Sequence, residues 1–160
     1  MSRYLIAATA IIFAAPLAAQ SVKPADYYVK AAGASDLYER QSSQLVLETT
    51  KNAKVRQFAT MMLSDHANST KMVTDAAMRD KLKPMPPKLM PAQEKMIAQL
   101  RSANGSARDT AYVAQQKQAH QTALELHRSY AQSGSSSPLK AVAAKIVPVV
   151  QHHIEMLKAL

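Results

Sequence analysis

The sequence predicts an all-α protein, an antiparallel bundle of four principal helices with a shorter one appended, and three observations carry that expectation. Glycine occurs only at Gly33, Gly105 and Gly134, and no period-two alternation of useful length appears. Apolar residues instead recur every three or four positions through long alanine-, leucine- and lysine-rich stretches. Helix breakers gather in a few tracts, chiefly KPMPPKLMP at 83–91 and SGSSSP at 133–138, leaving segments long enough to pack side by side.

The first element, MSRYLIAATAIIFAAPLAAQS, sets Arg3 before an apolar run from Leu5 to Ala15, then Pro16 and small residues at Ala18 and Ala19. It reads as a signal peptide over residues 1–19, cleaved after Ala19, with residues 20–160 forming a single helical domain. The apolar run falls short of the about 20 residues that span a bilayer. Export to a periplasm or the cell exterior removes the chain from nucleic acid, so its net charge of +9 is not read as a nucleic-acid footprint. That charge is read first as a solvated basic face, and it also suits an anionic envelope surface. Without cysteine there is no disulfide, and stability falls to the core.

A short helix is expected from Pro24, harmless at a first helical position, to Gly33. Ser35 or Asp36 then caps a second helix to about Lys51, Asp36-x-x-Glu39 resembling a capping box. Asn52 caps a third from Ala53 to about Lys81. The four prolines of 83–91 form a connector, and a helix follows from about Ala92 to Ala103, stopped by Asn104-Gly105. Ser106 caps the next, to about Gln132, and Ser137 with Pro138 opens the last.

Histidines fall on the apolar stripes of three of these helices. Val55, Phe58, Met62, Asp65, Ser69, Met72 and Ala76 share one face, and His66 lies 100° further round, so Asp65 and His66 both reach inward. His120 sits mid-stripe between Tyr112, Gln116 and Leu124, with His127 further along. His153 aligns with Leu139, Val142 and Ile146, while His152 is rotated toward solvent. Pro148 removes one backbone donor and loosens the turn before it. A lone inward histidine ordinarily just hydrogen-bonds a neighbour. Three beside Asp65 form a donor set for zinc, iron or a related divalent ion. A self-satisfied polar network is the alternative, and a pH-responsive bundle a third.

Methionines from Met61 to Met96 would suit copper beside imidazole, yet most follow helix spacing as core filler, so copper is less favoured. Glycine-rich phosphate loops, Gly-x-Ser-x-Gly and His-Glu-x-x-His are all missing.

The blocks SDLYERQSSQL with Glu39, VRQFATMMLSDH, YVAQQKQAHQTALEL and PVVQHHIEML resemble an exported bacterial family of unknown function, DUF family 4142. That resemblance implies a ferritin-like four-helix bundle and an envelope location, and no activity. A di-iron oxidase would need Glu-x-x-His motifs, and the sequence has none. The expectation is therefore a binding or stress-related envelope protein rather than an enzyme. Its candidate metal ligands are His66, His120 and His153, with Asp65 as ligand or orienter and Glu39 as either a further contributor or the capping partner of Asp36. The alternative is a structural or interaction module of the envelope whose His/Asp network only pins the core.

Overall fold

The computed structural model describes residues 22–160, so the expected signal peptide lies outside the described residues. Five helices follow in order: α1 (Ala25–Thr49), α2 (Ala53–Arg79), α3 (Pro91–Ser102), α4 (Gly105–Ser133) and α5 (Ser137–Leu157). Among the described residues no helix is long and apolar enough to cross a membrane.

The first departure from expectation is α1, which runs unbroken where two helices were expected. Gly33 neither ends a helix nor lets Asp36 begin one. Glycine inside a helix costs about 1 kcal/mol relative to alanine. Here it serves contact, because a Cβ on Gly33 would come within 3.1 Å of the Pro87 Cβ in the connector. The continuous helix then buries Tyr28, Ala32, Asp36, Glu39, Ser43 and Val46, one stripe at steps of three and four. Asp36-x-x-Glu39 is thus not a capping box.

Other boundaries fall close to expectation. Asn52 caps α2, its side chain accepting from the amides of Lys54 and Val55. That helix closes with Lys81 at φ 60°, and the amides of Lys81 and Leu82 bond the carbonyls of Met78 and Ala77. This is the paired-bond ending that usually employs glycine. Asn104 rather than Ser106 caps α4, and Ser136 rather than Ser137 caps α5, accepting from the Leu139 amide. Pro148 is carried inside α5.

The helix directions follow from which residues meet. Tyr28 lies against His127 and Ser43 against Tyr112, so α1 and α4 are antiparallel. Asp36 reaches His66 and Thr70 across the α1–α2 hairpin, and α5 runs against α2, with Asp65 beside His153. Helices α2 and α4 therefore run the same way, and the proline connector with α3 carries the chain back along the bundle. Two apolar clusters fill the interior. One holds Tyr28, Ala32, Val73, Ala76, Leu124, Leu139 and Ile146; the other holds Val46, Val55, Phe58, Met62, Leu100, Tyr112 and Leu157. The layer between them is polar.

Candidate metal centre

Each of the four long helices gives that middle layer its residues at the point where the apolar stripe is interrupted: Asp36 and Glu39 between Ala32 and Val46, His66 between Met62 and Val73, His120 between Tyr112 and Ala123, His153 between Val150 and Leu157. Apolar residues on either side exclude water. Phe58 closes one face, its ring centroid 6.0 Å from that of His120 and 6.3 Å from that of His153.

The three expected histidines converge. All are buried, their ring centroids lie 5.3 to 5.7 Å apart, and one nitrogen from each lies within 4.8 Å of the other two. What their outer nitrogens do decides what the inner ones can do. His66 Nδ1 is 2.8 Å from Asp36 Oδ1, and His153 Nε2 is 2.9 Å from Asp65 Oδ2. His120 Nδ1 is 3.0 Å from the Gln116 carbonyl oxygen. Carboxylates and carbonyls only accept, so each of these nitrogens carries the ring's hydrogen. The neutral rings therefore present bare lone pairs at His66 Nε2, His120 Nε2 and His153 Nδ1. His66 Nε2 is buried without a partner. His120 Nε2 and His153 Nδ1 face each other at 3.3 Å, two acceptors with no hydrogen between them. Donating the outer N–H to an acceptor, most often a carboxylate or carbonyl, is how metal-binding imidazoles are normally oriented.

The charge environment keeps two of the three rings neutral. Burial, helped by the neighbouring His66 and His153, lowers His120 to about 3, and burial lowers His153 against the upward pull of Asp65. Burial also acts downward on His66, yet the hydrogen bond to Asp36 and the charges of Glu39, Asp36 and Asp65 leave its pKa raised. Burial raises Glu39 to about 7, with His66 and Gln116 pulling it back and Asp36 adding to the rise.

One expected role is narrowed and another changes. Asp65 was aligned with the core, but its side chain is 36% exposed and it sits at the rim, orienting His153. His66, one residue on, takes the inner position. Asp36, expected only as a cap, is the buried acceptor for both His66 Nδ1 and Thr70 Oγ1. Glu39 is 1% exposed with neither carboxylate oxygen hydrogen-bonded, and its Oε1 lies 3.7 Å from His120 Nδ1. A stripe drawn through the whole of α1 from Tyr28 would have found both acids. His152 is exposed, as expected. The donor set is compatible with a divalent ion.

Comparisons extend the fold beyond this chain. It is similar to the crystal structure of a DUF305 fragment from Deinococcus radiodurans, with TM-score 0.74 and 14% identity over 86% of this chain and 95% of that one. It is also similar to a DUF305 protein from Streptomyces coelicolor, with TM-score 0.65 and 17% identity over 83% and 88% of the two chains. At these identities the likeness is one of fold. No curated protein matches the sequence. Residues 13–160 match the family DUF4142, a domain of unknown function, and the chain belongs to that family.

Proposed function

We propose that this is an exported, non-enzymatic, ferritin-like bundle that holds one divalent ion, of the zinc or iron type, through His66, His120 and His153. Asp36 and Asp65 orient two of the rings, and the Gln116 carbonyl orients the third. The single long crossover between two parallel helices supports the ferritin-like reading. The observation that carries the metal is the set of three inner lone pairs. Their outer hydrogens are all committed, and one lone pair is buried with no partner at all. Leaving acceptors unpaired in a dry layer costs about 1–3 kcal/mol each, and a cation at their common point removes that cost. The rival reading, a bundle pinned by a structural polar network, accounts for paired groups but not for these.

Cobalt(II) titrated into metal-free protein is expected to give the intense visible absorption of a nitrogen-ligated tetrahedral ion. Zinc at about 1,000 times its Kd is expected to stabilise the fold by about 4 kcal/mol. His120→Ala should abolish both responses with helicity retained, whereas His152→Ala, one residue from His153, should leave both intact. A wild-type protein indifferent to cobalt and zinc would leave only the structural network.

A further inference from the structure

Three carboxylates accompany the three imidazoles, and the third has no hydrogen-bonding task. Asp36 accepts from His66 and Thr70, and Asp65 accepts from His153. Neither Glu39 oxygen is in hydrogen-bonding geometry with a donor, although the Gln116 amide is near enough to favour its charge. The His120 hydrogen nearest to it goes to the Gln116 carbonyl, and the Gln116 amide donates to Ser42 Oγ at 3.1 Å. Among the described residues no lysine or arginine forms an ion pair with any of the three acids. An acid buried this deeply without a partner is a standing cost that a methionine of similar volume would avoid. The geometry directs that cost toward a cation, because the imidazole 3.7 Å from Glu39 belongs to a candidate ligand.

Given a metal in the histidine centre, as proposed above, we infer that Glu39 strengthens the preference of that centre for divalent over monovalent ions. Three neutral imidazoles alone discriminate weakly, since copper- and silver-type monovalent ions also take nitrogen donors. Once ionised, Glu39 adds a negative charge beside the centre and changes that, because its Coulomb energy is proportional to the charge of the ion. Removing it costs a divalent ion twice the free energy it costs a monovalent one, so the factor lost by the first is the square of the factor lost by the second. If Glu39→Gln weakens cobalt(II) about 100-fold, the upper range for altering a residue that supports a metal ligand, it weakens silver(I) only about tenfold.

The ratio of the two affinities is the readout. Cobalt-loaded protein is titrated with silver(I), and loss of the visible cobalt absorption reports displacement at this site alone, whatever silver does at surface methionines. In Glu39→Gln the cobalt-to-silver affinity ratio is expected to fall about tenfold, and Glu39→Met, of similar length without a charge, should give the same fall. Both variants remove an unpaired buried acid and should fold at least as well as the parent. An unchanged ratio, with both ions weakened equally or not at all, overturns the inference and makes Glu39 a packing residue. Failure of the parent protein to bind cobalt would be a different result and would remove the metal site itself.

Discussion

Four histidines are buried in this bundle, and two regions of it treat an imidazole in opposite ways. In one, His127 Nδ1 is hydrogen-bonded to the Tyr28 hydroxyl at 2.9 Å, and the Tyr28 ring stacks on Tyr130 at 3.9 Å between centroids. There a buried histidine is paired and packed, and burial lowers its pKa to about 4, so the ring stays neutral. In the other, about 10 Å away along α4, three imidazoles have their outer nitrogens paired and their inner ones left bare. Burial is common to both. The difference lies in whether polar atoms end on one another or converge, and only the second arrangement leaves nitrogen donors free for a ligand.

The largest effect expected from breaking this contrast comes from Asp36→Ala. That change leaves the His66 Nδ1 hydrogen without its acceptor in the dry layer, and losing a buried hydrogen bond to a charged group costs about 1.5–3 kcal/mol. The equivalent change at the rim, Asp65→Ala, should cost at most about 1 kcal/mol, because water can replace a side chain already 36% exposed. Urea unfolding of the two metal-free variants measures the gap. Equal losses would mean that both acids are equally solvated and that the layer is wetter than the packing implies.

Acid titration of the metal-free protein comes next. His120 at about 3, His127 at about 4 and the lowered His153 all refuse protons in the fold that the unfolded chain accepts near 6.5. Stability should therefore fall as pH drops below about 6.5, each ring contributing up to about 1.4 kcal/mol per pH unit. Glu39 opposes this. Raised to about 7, it holds its proton in the fold, so its contribution is present below 4.5, is lost as pH rises through 7, and partly returns on acidification. The rings outweigh one carboxyl, leaving a net fall of about 1–2 kcal/mol between pH 6.5 and 5.5. His66 has a raised pKa, so its contribution is complete below about 6.5 and is lost as pH climbs through its folded value. Glu39→Gln removes the opposing group and should steepen the fall; a flat profile would mean the rings already take up protons in the fold.

The contrast between the regions was only partly legible in the sequence. His120 and His153 sit on long regular stripes, where periodicity alone decides which side faces inward. Asp65 and His66 are one residue apart, so a 100° step leaves both near the stripe, and the tilt of α2 against α5 decides which is inner. Asp36 and Glu39 were hidden by Gly33, Ser35 and Asp36 itself, which together mimic a helix end followed by a cap. That local signal lost to tertiary contact, because Gly33 answers to Pro87, more than fifty residues away. The Tyr28–His127 pair spans 99 residues, and nothing along the chain marks the two as partners.

The smallest expected effect gives the sharpest test of whether the two regions are separate. Tyr28→Phe keeps the ring that stacks on Tyr130 and deletes only the hydroxyl, so metal-free stability should fall by about 1 kcal/mol. The zinc-induced stabilisation should not change, since sites about 10 Å apart with no shared partner add to within about 0.5 kcal/mol. The route by which that independence could fail is specific. Asp36 holds His66, and its charge also acts on Tyr28 and on His127. If Tyr28→Phe alters the response to zinc by more than that margin, Asp36 joins the two regions into one network, and the paired histidine becomes part of the site it was contrasted with.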